Sequence, residues 1–255
     1  MIMATSKPLV LITGANQGIG LATAQQLASS GKYHVLLGSR SSSKADAAIQ
    51  QLLADTQYPV DAAAVSPITI DITSDSSIAA AAKFVGDTYG SLAVLINNAG
   101  ISSGPAGSSL RENFRAVFET NVFGAAVVID AFLPLLRASS YPDRRIVNVT
   151  SGLGQIGMAG ARGSPFNARA YAAPEYRSSK AALNMLTAVN AVLLADEGIA
   201  VVAAAPGFCR TSFTGGQGSK DASEGARVIV RAATEGDPKE MYGTLVADEG
   251  TQFGW

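Results

Sequence analysis

Apolar residues gather along the chain in short uninterrupted runs of strand length, near 8–13, 33–38, 65–70, 92–96, 145–150, 199–204 and 242–247. Between them, at 18–30, 42–55, 74–89, 111–137, 176–197 and 220–235, apolar and polar residues mix over helix-length stretches. A strand that is apolar at every position buries both of its faces, as a parallel sheet covered by helices requires. The alternation predicts an α/β fold: one Rossmann-type, doubly wound parallel sheet of about seven strands with helices on both faces. Ligands of such sheets bind beyond the carboxyl ends of the strands. No repeat or linker interrupts the pattern, so residues 1–255 are expected to form a single domain. Only 152–175 breaks the rhythm. It is a glycine-rich stretch that reads as a long functional loop, expected to wall a substrate site.

Candidate chemistry falls at the predicted strand ends. The first strand runs into Gly14-Ala-Asn16-Gln17-Gly18-Ile19-Gly20 and then into a helix. Glycines let a backbone bend tightly and approach a pyrophosphate, and the helix N-terminus offers N–H donors and the positive end of a dipole. The spacing differs from the common dinucleotide fingerprint, and taken alone it fits a simple tight turn equally well. After the second strand, where an acidic side chain would hold the ribose of NAD, the chain reads Ser39-Arg40. A planar cation there suits a 2′-phosphate and argues for NADP(H), with a solvated loop arginine as the alternative.

Tyr176 and Lys180 stand at i and i+4 in Tyr-Arg-Ser-Ser-Lys, so on a helix they share one face. An ammonium beside a phenol favours the phenolate, which predicts a lowered tyrosine pKa and a group able to exchange a proton with a substrate oxygen. Ser151 lies upstream in Asn-Val-Thr-Ser.

Thr13-Gly14-x-x-x-Gly18-x-Gly20, Asn97-Asn98-Ala99-Gly100, Asn121, Ser151, Tyr176-x-x-x-Lys180 and Pro206-Gly207 with Thr211 follow one another in this order. In this the chain resembles the short-chain dehydrogenase/reductase family over essentially its whole length, and it looks most similar to the carbonyl reductase branch. The resemblance implies that Tyr176 is the general acid in reduction. Lys180 lowers its pKa and binds the nicotinamide ribose, and Ser151 polarises the substrate carbonyl. It further implies that Asn121 holds a water linking Lys180 to solvent. Asn98, Ala99 and Gly100 would flank the adenosine ribose, and Asp71, with Ile72 beside it, would accept from the adenine amino group. The loop Pro206, Gly207, Cys209, Thr211 would contact the nicotinamide. Two departures stand out: Gln17 occupies a place where many NADP-using members carry a basic residue, and the stretch from Ser151 to Tyr176 is intermediate between ordinary members and the mammalian-type carbonyl reductases. An insertion there covers the outer helix face in that branch, which favours a monomer here. Reduction of an imine or activated C=C bond, and a non-catalytic NADP(H)-binding protein, are the alternatives.

The resemblance implies a small-molecule carbonyl substrate, and composition argues against other partners. Charged residues make up 15% of the chain and the net charge is −1, without a basic stripe, which argues against nucleic acid. No uninterrupted apolar run is long enough for a membrane helix, since Asp130 and Pro134 break the best one, and residues 1–8 lack the pattern of a signal peptide. The single cysteine, Cys209, reads as a small buried hydrophobe and suits a reducing, cytoplasmic setting. The lone His34 is read as structural, and no metal is expected. Leu153, Met158, Phe208 and Phe213 are the expected substrate contacts, with ordinary loop packing as the alternative.

Overall fold

A computed structural model describes residues 7–247. Most of the segment read for a signal peptide (1–6) and the tail 248–255, part of an ending that also resembles carbonyl reductases, lie outside the described residues. Seven strands form one sheet: β1 (Leu9–Ile12), β2 (His34–Ser39), β3 (Val65–Thr69), β4 (Val94–Asn97), β5 (Arg144–Val149), β6 (Ile199–Ala204) and β7 (Leu245–Val246). Their order is β3-β2-β1-β4-β5-β6-β7, and every neighbouring pair is parallel. The order reverses between β1 and β4, which opens a crevice beyond the ends of those two strands.

Nine α-helices lie among the described residues: α1 (Gly18–Ser29), α2 (Ser42–Ala54), α3 (Asp75–Tyr89), α4 (Leu110–Phe118), α5 (Ala125–Arg137), α6 (Ile156–Gly160), α7 (Pro174–Leu194), α8 (Ala222–Thr234) and α9 (Pro238–Met241). Alternate strand residues feed two cores. Val10, Ile12, Val35, Leu37, Val94, Ile96 and Val202 pack with α1, α2 and α8. Leu9, Leu11, Leu36, Leu95, Ile146 and Val201 pack with α3, α5 and α7. This explains the uniformly apolar strands, because neither face meets water. Local chemistry sets several helix ends. Ser109 and Glu112 form a capping box on α4, Ser74 caps α3, and Gly90 ends α3 in the left-handed conformation.

Three features depart from the sequence pattern. The stretch predicted as one helix over 111–137 is broken by a π-helical segment, Glu119–Gly124. Gly124 ends this segment hard against the strand-end loop, since a Cβ there would stand 2.5 Å from the Ile72 carbonyl oxygen. Second, the whole stretch Leu110–Arg137 is long and apolar enough by composition to cross a bilayer, despite Asp130 and Pro134. Here Val128, Ile129, Phe132 and Leu136 are buried against the sheet, which is the behaviour of a core helix. Third, the stretch read as loop contains a 3-10 turn, Gly152–Gly154, and α6. It leaves Met185, Val189, Val192 and Leu193 on the outer face of α7 exposed, so the covering on which a monomer was expected is not seen there.

Candidate active site

The glycine turn joins β1 to α1 at the switch point. Gly14 has φ +62° and Gly18 φ +57°, left-handed values that glycine adopts without a steric cost. A Cβ on Gly14 would lie 2.9 Å from Ala99 Cα, so the turn and the end of β4 meet backbone to backbone. Asn98 locks this approach by donating from Nδ2 to the carbonyls of Thr13 (2.9 Å) and Gly14 (3.1 Å). Thr13 Oγ1 accepts in return from the amides of Asn98 and Ala99, both at 3.1 Å. Both amide hydrogens of Asn98 are thus spent inside the protein, leaving its Oδ1 for a ligand. A Cβ on Gly20 would collide with the same Asn98 amide.

The N-cap of α1 is Gln17, extended and without a side-chain cap bond, and the first turn carries no acidic residue. An uncapped helix end with no competing carboxylate suits an anion. Asn16 and Gln17 border this end, and Ile19 packs on the core beneath it. Thr211, from the loop after β6, places its methyl 3.5 Å from the Cβ position of Gly18, so the 206–211 loop reaches the glycine turn. Arg40 is exposed at the end of β2. Asp71, after β3, is held below the usual carboxylate range by the Thr73 N–H (3.0 Å) and hydroxyl (2.8 Å), with the charge of Arg40 adding to them. Ser74, not Asp71, caps α3. Positive-φ glycines and an uncapped helix N-terminus together fit the pyrophosphate of a dinucleotide.

The side chains expected to carry proton transfer gather beyond β5. Ser151 follows the strand, and α7, entered through Pro174 in its first turn, presents Tyr176 and Lys180 on its inner face. The Ser151 hydroxyl neighbours the Tyr176 phenol closely enough to favour its ionised form. Lys180 Nζ donates to the Val149 carbonyl at 2.8 Å and lies 5.7 Å from the centre of the Tyr176 ring. Burial works against charge on both groups. It lowers the Lys180 ammonium to about 8 and pushes the Tyr176 phenol above its ordinary value, with the Ser151 side chain opposing the rise. The lowered tyrosine pKa expected from the sequence is therefore reversed, because desolvation by burial outweighs the Ser151 side chain, the one group that pulls it down. Tyr176 stands there as a phenol, the form that can donate.

Asn121 sits in the π-helical segment, buried, with Oδ1 accepting from the Ile101 amide (2.9 Å) and Nδ2 donating to the Ile101 carbonyl (2.8 Å) and Ser179 Oγ (3.0 Å). Its Oδ1 and Lys180 Nζ both flank Gly100, at 3.1 and 3.7 Å from that glycine's Cβ position. The wider π turn brings Asn121 to Lys180, and π segments recur at functional sites. Phe213 packs on Tyr176 with ring centres 5.8 Å apart. Phe208 is exposed, while Leu153 and Met158 are half-buried in the insertion. Cys209 turns away from the cleft, its Sγ donating to the Pro206 carbonyl (3.5 Å) beside Gly225. Burial pushes the Cys209 thiol up, so only its backbone remains for the cofactor side. Pro206 is buried and Gly207 exposed, with φ +82°.

Sequence reasoning missed several groups. Asn97 donates to Asn148 Oδ1 (2.9 Å), Asn148 to Thr187 Oγ1 (2.9 Å), and Thr150 to Asn184 Oδ1 (2.6 Å), a buried polar chain tying β4 and β5 to α7. Gln155, four positions after Ser151, is buried with Nε2 unpaired, a donor that calls for a water or a polar ligand group. The available signal was polar residues at strand positions that should be apolar.

Residues 8–222 match the family described as short chain dehydrogenase. The chain is 61% identical to the short-chain dehydrogenase anuI of Penicillium roqueforti, with 99% of each chain covered. It is 26% identical to carbonyl reductase [NADPH] 1 of Bos taurus, over 97% of this chain and 98% of that one. Among solved structures it resembles NADPH-bound carbonyl reductase from chicken fatty liver, with a TM-score of 0.81 and 27% identity over 98% of this chain and 100% of that one.

Proposed function

The chain belongs to the short-chain dehydrogenase family, and from that premise we propose that it is an NADPH-dependent reductase of a ketone or aldehyde carbonyl on a small, mostly apolar molecule. The observation that carries the reading is the grouping of half-buried Ser151 with buried Tyr176 and Lys180 beyond β5, on the same edge of the sheet as the glycine turn. The nicotinamide, when bound, supplies the hydride. Ser151 donates a hydrogen bond to the substrate oxygen and stabilises the charge that grows there. Tyr176 gives its proton to that oxygen. The Lys180 ammonium, tethered by the Val149 carbonyl, opposes the negative charge left on the phenolate and binds the nicotinamide ribose. Asn121, beside Lys180, holds the water through which the proton is replaced. Phe208 and Phe213 supply apolar surface for the substrate.

Arg40 supports NADPH over NADH: it is an exposed guanidinium at the end of β2, where an NAD site needs a carboxylate. The named bovine and chicken relatives use NADPH, which favours the same choice. A single buried cysteine supports a cytoplasmic setting. Fluorescence titration of NADPH and NADH at low salt tests the reading. A preference for NADPH of about tenfold or more is expected from one guanidinium–phosphate contact. Equal or NADH-favoured binding would overturn the cofactor assignment, and binding of neither would overturn the reductase.

A further inference from the structure

Tyr176 is flanked in sequence by two buried ionic residues, Glu175 and Arg177, whose hydrogen-bond partners lie outside the Ser151–Tyr176–Lys180 group. Asn113 Nδ2 donates to Glu175 (3.3 Å), and Asn113 Oδ1 accepts from the Gly104 amide on the loop after β4. Arg177 reaches the other way. Its Nε donates to the Tyr171 carbonyl (2.9 Å), one terminal nitrogen to the Phe166 carbonyl (2.8 Å) and the other to the Leu153 carbonyl (3.4 Å). These three carbonyls belong to the beginning, middle and end of the insertion between Ser151 and α7.

We propose that Arg177 is a positioning residue that fixes this insertion as a preformed wall of the substrate cleft, and so sets which carbonyl compounds fit. The inference rests on the reading of that cleft as a reductase site. A guanidinium presents a rigid planar fork of donors, and here the fork joins Leu153 at the start of the insertion to Phe166 and Tyr171 in its later turns. The contacts inside the insertion do not reach its first residues: Ala168 donates to the Ala159 carbonyl (3.0 Å) and the Asn167 side chain to the Ala161 carbonyl (2.8 Å), whereas Arg177 reaches back to Leu153. Two further features hold the insertion to α7. Gly154 lies against Lys180, where a Cβ would stand 2.9 Å from the lysine Cβ. At the other end Ala173, with φ +33°, turns the chain into α7 and accepts from the Arg177 amide at 3.0 Å. Arg177 and Tyr176 share one helical turn, so the wall is referenced to the proton donor.

The test compares wild type with Arg177→Met, which keeps the apolar stem, and with Arg177→Lys, which keeps the charge but loses the fork. Hydrogen exchange is followed at the hydrogen-bonded amides of Ala159, Asn167, Ala168 and Ala170, with the Val201 and Val202 amides of β6 as an internal reference. Exchange in the insertion is expected to speed by about tenfold or more in Arg177→Met and by less in Arg177→Lys, with β6 unchanged. Unchanged exchange in the insertion would overturn the proposal, as would an equal rise in β6, which marks a general loss of stability. In turnover with NADPH, the KM for phenanthrenequinone, a rigid aromatic diketone, is expected to rise about tenfold, several times more than kcat falls. The KM for diacetyl, too small to span the cleft, should move less. A kcat loss equal for both probes would contradict the proposal. If wild type binds NADPH but reduces neither probe, the proposed reaction fails, and the exchange result still decides the role of Arg177.

Discussion

The glycine turn after β1 and the insertion after β5 both rise from the carboxyl end of one sheet, yet they are held in opposite ways. In the turn, shape is built from what is missing: no Cβ at Gly14, Gly18 or Gly20, and Asn98 and Thr13 closing the gap with four hydrogen bonds. In the insertion, shape depends on one long side chain, Arg177, reaching three distant carbonyls. The first device fixes a backbone for a ligand part that never changes. The second ties the insertion to the helix that carries Tyr176.

Perturbing the catalytic helix should give the largest effect. Tyr176→Phe removes the proton donor, and turnover should fall by about a thousandfold while NADPH affinity stays within about threefold. Steady-state kinetics and a titration check this together, and retained turnover would remove Tyr176 from the proton step.

Lys180 offers a second contrast. Its folded pKa is depressed from 10.5 to about 8 by burial. For a base this is a cost of folding, fully present below about 8 and gone above the unfolded value. Lys180→Met should therefore stabilise the empty protein at neutral pH by up to about 3 kcal/mol while lowering turnover. The wild type should gain stability as pH rises from about 8 towards 10.5, and chemical denaturation across that range measures both. Stability of the variant below wild type at pH 7 would contradict the burial cost. Carbonyl reduction should weaken over the same rise through about 8, as the ammonium is lost.

On the cofactor side, Gly14→Ala places a Cβ 2.9 Å from Ala99 Cα in a left-handed backbone. A loss of about 2 kcal/mol in stability is expected, with weaker binding of both cofactors. Arg40→Asp should leave stability alone and weaken NADPH about tenfold relative to NADH, the smallest effect and the most selective. If both cofactors weaken equally, Arg40 is not the phosphate ligand.

The same contrast governs what could be read from the sequence. The turn was legible because its devices are local: glycines at fixed spacing, a strand before and a helix after. Tyr176 and Lys180 were legible because i and i+4 define one helix face. The π segment that seats Asn121 was not, since widening by one residue leaves no residue pattern in Glu119–Gly124 that distinguishes it from the flanking α-helix. Arg177 was invisible for a similar reason, because its partners are backbone carbonyls that carry no residue signature. The Tyr176 pKa was misread because its sign depends on burial, with Phe213 and the Ser151 side chain around the phenol.

The most direct test is to supply NADPH deuterated at the transferring position of the nicotinamide ring, with a panel of ketones and aldehydes, and to examine the products by mass spectrometry. The account predicts an alcohol with one deuterium on the former carbonyl carbon and its hydroxyl proton drawn from solvent. Deuterium on a neighbouring carbon would mean reduction of a C=C bond, and product formation without deuterium would contradict hydride transfer altogether.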